Sequence, residues 1–428
     1  MKKVKIAILG LGNVGSGVWK ILNTNKKEIM KRSGYEIEVA KILVRDKEKE
    51  RNLNLPKDIL TTDYSDIIDD EDIRIVVEVM GGIEPAKEYM LQAIKRKKHV
   101  VTANKFVLAT CGVELMNAAQ EEGVMLYYEA SVAGGIPVIH GISESLTANK
   151  IVQIMGIING TTNYILTKMS QDGMEFDDAL KEAQEMGYAE ADPTSDIEAY
   201  DAMYKLAILS SLSFGSFIDI NSIYREGITA IKSVDIQYAK EFGYVIKLLA
   251  IAKEEDGKLE LRVHPAMIPA KHPLANVNDS FNAIFIKGNA VGDLMLYGRG
   301  AGDLPTGSAV VGDIIQVLRN NIDELIPAGL DNKQPNSNVK SMDETKCEYY
   351  IRINVDDTPG TLGEIATIFG KNGVSLANVM QRGKLNVHVP VVFVTHETLE
   401  ENVNNSISEI KNMPSVVEVE NIIRVENI

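Results

Sequence analysis

The chain opens on a near-continuous apolar run, Val4 to Leu9, of the kind buried on both faces of a parallel sheet. It leads directly into the stretch GLGNVGSG, after which the pattern predicts a helix from about Val14 to Met30. Strand-like runs follow at 36–44, 73–80 and 99–103, separated by helix-compatible stretches such as 85–98. This alternation implies an α/β fold with a Rossmann-type doubly wound sheet. Near Tyr127 the pattern changes to a helix-rich stretch reaching about Phe242, then strand signals at 259–268, 282–288 and 290–298, which imply a second domain of α+β type. Residues 298–318 read as a Gly-rich loop feeding a helix that returns to the first sheet. Residues 327–346 are polar and aperiodic, a linker, and beyond them the order βαββαβ implies a small ferredoxin-like unit. The expected boundaries are 1–130 for the first domain, completed by about 300–325, then 131–300, the linker at 327–346, and 347–428.

Composition changes this picture little. With 45 basic against 60 acidic residues the net charge is -15, which argues against a nucleic-acid partner. A hydrophobic fraction of 45% and a charged fraction of 25% are those of an ordinary globular chain. The sequence has neither the pattern of a signal peptide nor an apolar run long enough for a membrane span, so a cytoplasmic protein with no membrane association is expected. Cys111 and Cys347 are too far apart in sequence to form a Cys-x-x-Cys pair and read as plain thiols. The six histidines show no zinc-binding spacing. The basic run Lys95 to Lys98 ends a predicted helix and reads as a solvated terminus.

Gly10, Gly12 and Gly15 match G-x-G-x-x-G between a strand and a helix, the setting that the motif's mechanics require. The first glycine permits the turn, the second admits a pyrophosphate to the backbone, and the third lets helix and strand pack closely. A dinucleotide cofactor follows. The second strand ends in Val44-Arg45-Asp46, and a guanidinium there can hold a 2′-phosphate, so NADP is favoured, while Asp46 leaves NAD open. Small residues at Met80-Gly81-Gly82 suit the nicotinamide side or a simple turn.

Two lysines are candidate proton donors. Lys105 follows the strand ending at 103, at the carboxyl edge where open sheets bind ligands. Lys205 lies four residues after Asp201 on a predicted helix that Ser195 and Glu198 have the spacing to cap. Such a pair is either a solvated surface bridge or, beside a second cation in a desolvated pocket, a lysine tuned to protonate an alkoxide. Glu190, Asp192 and Asp196 lie in a Pro- and Gly-marked loop and suit an ammonium, or are ordinary solvated acids; Gly160 to Asn163 precede a helix and suit a carboxylate, or merely cap it.

Six stretches, GLGNVGSG, HVVTANK, YYEASVAGGIPVI, GIINGTTNYIL, GYAEADPTSDIEAYDAMYKLAIL and GRGAGDLPTGSAVVGD, in that order, resemble the homoserine dehydrogenase family over about residues 1–325. The resemblance implies reversible NAD(P)H-dependent reduction of L-aspartate 4-semialdehyde to L-homoserine, in the biosynthesis of threonine, methionine and isoleucine. It implies that domain two is a catalytic and dimerisation domain, that Lys205, Asp201 and Lys105 are catalytic, and that Glu190, Asp196, Gly160, Thr161 and Tyr188 bind substrate. The cofactor would lie against Gly10, Gly12, Asn13, Val14, Gly15, Arg45, Gly81, Thr102, Lys105 and Gly302. A monovalent cation, Na+ or K+, would be held by the backbone carbonyls of Glu129, Val132, Gly134 and Ile136. From residue 349 onward, YYIRINVDDTPGTLGEIATIFG resembles an ACT domain, which implies an amino-acid effector, threonine first, near Asp357, Pro359, Gly360 and Leu362, and a homodimer or homotetramer. Another NAD(P)-linked reductase of amino-acid aldehydes, or a catalytically silent amino-acid sensor, are the alternatives.

Overall fold

A computed structural model describes residues 2–56, 58–320, 332–335, 338–382 and 388–427. The chain forms two compact units, one made of Met1–Ile154, Asp201–Ile223 and Phe281–Ser337, the other of Met155–Tyr200, Tyr224–Ser280 and Asn338–Ile428.

In the first unit, β1 (Lys2–Leu9), β2 (Tyr35–Leu43), β3 (Leu60–Thr61), β4 (Ile73–Glu78), β5 (His99–Thr102) and β6 (Leu126–Tyr127) form a sheet in the order β3-β2-β1-β4-β5-β6. Every pairing is parallel. The strand order reverses between β1 and β4, and a doubly wound sheet binds its ligand in the crevice at that reversal. Unbroken apolar runs are needed because helices cover both faces. Ile6, Ile8, Ile75 and Val77 pack with Val18, Val310 and Ile314 on one side, and Ala7, Leu9, Val76 and Val100 with Met90, Ile94 and Leu115 on the other. Each large side chain so buried contributes about 1.5–3 kcal/mol.

The helix Asp303–Arg319 crosses Asn13–Thr24 at very close range. A Cβ on Gly17 would lie 1.9 Å from the Asp303 carbonyl oxygen, so glycine is required there for the backbones to meet. The helix predicted over 14–30 is in fact two, Asn13–Thr24 and Lys26–Ser33, separated by Asn25; the second buries only Ile29. The basic run is not wholly solvated either. Lys98 is buried and donates to the carbonyls of Asp70 (2.6 Å) and Ile73 (2.9 Å), acceptors that no local pattern reveals.

The second unit contains the antiparallel hairpin Tyr244–Glu255 and Lys258–Pro269. Its C-terminal part has the βαββαβ order, with strands in the spatial order Val416–Val425, Lys346–Val355, Val389–Thr395, Leu376–Gln381 and helices at Thr361–Lys371 and Glu400–Ile410. The end of the last strand is shared: Arg424 and Val425 pair antiparallel with Tyr349 and Glu348 on one edge and parallel with Ala266 and Met267 of the hairpin on the other. A buried ion pair, Arg262 with Glu426, reinforces that join, and a second, Arg352 with Asp235 at 2.7 Å, ties the strand Lys346–Val355 to the helix Ser233–Glu241. Of the expected linker, residues 327–331, 336 and 337 lie outside the described residues. Further along it, Asn338 and Lys340 bond the backbone of Leu259 at 2.8 and 2.7 Å. Among the described residues no helix is long and apolar enough to cross a membrane.

Candidate active site

The glycine turn at the end of β1 has the mechanics its motif demands. Gly10 has φ 100°, and a Cβ on it would lie 2.9 Å from the Val79 carbonyl oxygen; a Cβ on Gly15 would lie 2.2 Å from that of Gly10. Gly12 faces open space, which leaves its backbone approachable. It precedes a helix whose N-terminus has no side-chain cap, so the first-turn N–H groups around Asn13 and Val14 are suited to an anion. Arg45 is exposed just beyond β2. The Asp46 carboxylate accepts from the Glu48 N–H at 2.8 Å, and Arg51, a residue passed over in the sequence, ties the loop by donating to the carbonyls of Asp46 and Lys49 at 2.7 Å each. Arg51 also lines a cleft of about 430 Å³ with Asn13, Ser16, Lys20 and Asp303. Gly302, φ 124°, precedes the helix that starts at Asp303.

At the carboxyl edge of β5, Asn104 caps the helix Lys105–Glu122 by accepting from the Val107 N–H at 3.2 Å. Lys105, the first residue of that helix, donates to Asp201 Oδ1, and Lys205 donates to Asp201 Oδ2 at 2.6 Å. Both lysines thus share one carboxylate, and the surface-bridge reading fails because Asp201 is buried. Burial opposes its ionisation, yet the charges of Lys205 and Lys105 and their hydrogen bonds outweigh it and hold the carboxyl well below the usual range. Two cations on one anion leave a net positive charge, carried by the helices Lys105–Glu122 and Tyr200–Phe214. The cap predicted for this region differs: Thr194–Ile197 is a separate short turn, held by Asp192 accepting from the Thr194 N–H (3.1 Å) and hydroxyl (2.6 Å), and the chain breaks at Ala199, φ 62°.

Glu78 was missed in the sequence, where it reads as one more strand residue. It is fully buried at the end of β4, accepting from the N–H groups of Met80 (2.8 Å) and Gly81 (3.3 Å), the Thr102 hydroxyl (2.6 Å) and the Asn104 amide (3.5 Å). Burial pushes its carboxyl upward and these donors act against that.

In the stretch Glu129 to Ile136, Ala133 and Gly134 both have left-handed backbone, φ 55° and 52°. The Ile136 carbonyl accepts from the Val138 N–H at 2.8 Å, leaving one lone pair. The Glu129 side chain, also unforeseen, accepts from the N–H groups of Ile139 (2.9 Å) and His140 (2.7 Å), while Asp313 accepts from the Glu129 N–H (2.9 Å) and contacts His140 Nε2 (2.7 Å). The hydrogen bond to Asp313 raises the His140 pKa to about 9. Two buried carboxylates, Glu129 and Asp313, thus flank a His140 imidazolium that offsets one of their charges.

In the second unit, Asn159 caps the helix Gly160–Gln171, accepting from the Thr162 N–H at 2.8 Å and donating to Asp196 at 2.7 Å. Thr161 donates to the Tyr188 carbonyl at 2.7 Å, and a Cβ on Gly160 would lie 2.8 Å from the Ser280 carbonyl oxygen. Glu190 and Tyr188 are exposed. Around the Pro-Gly turn Asp357 accepts from Gln381 at 3.0 Å, Gly360 has φ 102°, and Pro359 and Leu362 are exposed.

Comparison with known proteins decides the family. The homoserine dehydrogenase family model matches residues 137–315, the NAD-binding-domain model of homoserine dehydrogenase 10–129, and the ACT domain model 349–414. The chain is 41% identical to the homoserine dehydrogenase of Bacillus subtilis over 429 residues, covering 100% of this chain and 99% of that one. The chain belongs to the homoserine dehydrogenase family. To the homoserine dehydrogenase of Synechocystis sp. it is 44% identical, covering 99% of both chains. The crystal structure of a homoserine dehydrogenase from Thiobacillus denitrificans superposes with a TM-score of 0.94 at 44% identity, covering 100% of this chain and 99% of that one. A hyperthermophilic archaeal homoserine dehydrogenase mutant, solved in complex with NADPH, superposes with a TM-score of 0.62 at 30% identity over 73% of this chain and 97% of its own. The doubly wound, α+β and ACT architecture is therefore that of the family, and the chain is an NAD(P)-dependent oxidoreductase acting on homoserine and aspartate semialdehyde.

Proposed function

We propose that Lys205 is the proton donor and acceptor at the substrate oxygen, with Lys105 adding positive charge and Asp201 orienting both. The supporting observation is the buried Asp201 carboxylate shared by two lysines in the same compact unit as the glycine turn. In homoserine oxidation the nicotinamide, when bound, supplies the hydride acceptor. In oxidation Lys205, as the neutral amine, takes the hydroxyl proton and becomes the ammonium; in reduction that ammonium returns the proton to the oxygen as hydride reaches the carbonyl carbon, and the Lys105 charge stabilises developing negative oxygen in either direction. Glu190 holds the substrate ammonium, and Asp196, Gly160, Thr161 and Tyr188 complete substrate recognition, as the family resemblance implies.

NADP is the preferred cofactor in this reading. Arg45 is exposed where a 2′-phosphate would approach, the Asp46 carboxylate is engaged by its own turn, and a relative has been solved with NADPH. Thr102, Gly81 and Gly302 line the rest of the cofactor's path. A sodium or potassium ion is held by the carbonyls of Glu129, Val132, Gly134 and Ile136, in keeping with the left-handed turn and the buried carboxylates beside it. The ACT domain binds threonine near Asp357, Pro359, Gly360 and Leu362 and slows the reaction, in a cytoplasmic homodimer or homotetramer. Homoserine oxidation measured with NADP+ and with NAD+, with and without threonine, tests reaction, cofactor and control together. Equal kcat/KM for the two cofactors would overturn the preference, and unchanged rates in threonine the control.

A further inference from the structure

Glu78 is bonded to both segments that flank the proposed cofactor path, one of which leads into Lys105. Its Oε1 accepts from the backbone of Met80 (2.8 Å) and Gly81 (3.3 Å), in the loop after β4 where Gly81 and Gly82 each have φ 75°. Its Oε2 accepts from the Thr102 hydroxyl (2.6 Å), whose oxygen accepts in turn from the Asn104 N–H (3.0 Å). The Asn104 amide reaches Glu78 at 3.5 Å and the Gly82 carbonyl at 2.7 Å, while its oxygen caps the helix that begins at Lys105. One carboxylate therefore gathers two turns that have no regular backbone ladder of their own.

A buried carboxylate with no lysine or arginine paired to it among the described residues is costly, and two apolar residues packed across Glu78 and Thr102, neighbours in the β4–β5 register, would cost less. Four donors converging on it offset the desolvation and, in doing so, fix where those donors sit. Without the carboxylate the two exposed, left-handed glycines are free to take other conformations, and Asn104 loses one of the bonds that orient it.

We infer that Glu78 is a positioning residue for the homoserine dehydrogenase reaction, holding the Met80–Gly82 loop against the cofactor and, through Thr102 and Asn104, aiming Lys105 at the reacting oxygen. The inference rests on the proposed roles of Lys105 and the cofactor loop. It requires an effect on both cofactor affinity and turnover, with homoserine KM unmoved. A role confined to folding would lower thermal stability and leave the kinetic constants of the folded fraction unchanged.

The test uses the full-length protein and begins with wild-type homoserine oxidation by NADP+; absence of that activity would refute the functional reading itself, separately from Glu78. Given activity, Glu78→Ala is expected to raise the NADP+ KM at least fivefold and lower kcat at least tenfold per folded active site. Glu78→Gln keeps an oxygen for the two loop N–H groups and can turn its amide towards a reoriented Thr102 hydroxyl, so it is expected to recover both constants to within about threefold of wild type. Kinetics of Glu78→Ala within twofold of wild type would overturn the inference. Equal losses in Glu78→Ala and Glu78→Gln would also overturn it, in favour of a purely electrostatic role for the charge. If Glu78→Ala does not fold, the isosteric Thr102→Val carries the test: a threefold or larger rise in NADP+ KM at unchanged Tm supports positioning, and an unchanged KM overturns it.

Discussion

At Asp201 the competition between burial and charge decides the chemistry. A lone buried carboxylate takes up a proton, whereas this one is held ionised by Lys205 and Lys105 and so keeps both ammonium groups in a fixed geometry. Replacing Lys205 with Ala is expected to lower kcat by about 10²–10⁴, the usual range for a positioned acid–base group, while NADPH binding, followed by its fluorescence, stays within a few-fold of wild type. Arginine is expected not to restore the rate, because a guanidinium does not give up its proton. At the other end of the cofactor, Arg45→Ala is expected to raise the NADP+ KM by about tenfold, the loss of roughly one charge-assisted bond, and to leave the NAD+ KM nearly unchanged. A matched change in both KM values would show that Arg45 does not read the 2′-phosphate.

Among the elements, close crossings and buried ion pairs hold each unit together internally. Gly17→Ala must move one helix off the other and is expected to cost about 1–3 kcal/mol, measured by denaturant unfolding. Glu426 locks the last strand to the hairpin through Arg262. Burial opposes its ionisation but Arg262 and Lys253 prevail, so its pKa in the fold lies below the ordinary 4.5. A depressed carboxylate contributes stability in full above its unfolded value and loses it as pH falls through the folded one. Glu426→Gln is therefore expected to cost about 3–5 kcal/mol near neutral pH, where it strands Arg262, and to flatten the loss of stability below pH ~4.5. The strands were legible because β1, β4 and β5 are short, mostly apolar runs, and the glycine turn because its spacing is mechanical. The break at Asn25, the burial of Lys98 and the turn at Ala199 were not, since each depends on partners distant in sequence or on local competition that periodicity averages away. The same holds for Glu78 and Asp313: a carboxylate is read as solvated until its donors are known.

For the molecule as a whole, a net charge of -15 says little about what it binds, since an anionic cofactor is met by local cations, in the proposed reading Arg45 and Lys105. The C-terminal domain is not a loosely tethered appendage within its unit. Its final strand is also a strand of the hairpin sheet, so an effector that shifts the sheet has a covalent and hydrogen-bonded route into that unit. Asp357→Ala is expected to abolish inhibition by threonine while leaving uninhibited kcat unchanged; retained inhibition would place the effector elsewhere. The most direct test of the central claim is homoserine-dependent reduction of NADP+ by the purified full-length chain, with Lys205→Ala measured beside it. Robust wild-type turnover and a variant slower by orders of magnitude at unimpaired NADPH binding are predicted. Near-normal turnover in the variant, or none in a wild type shown to bind NADPH, would contradict the account.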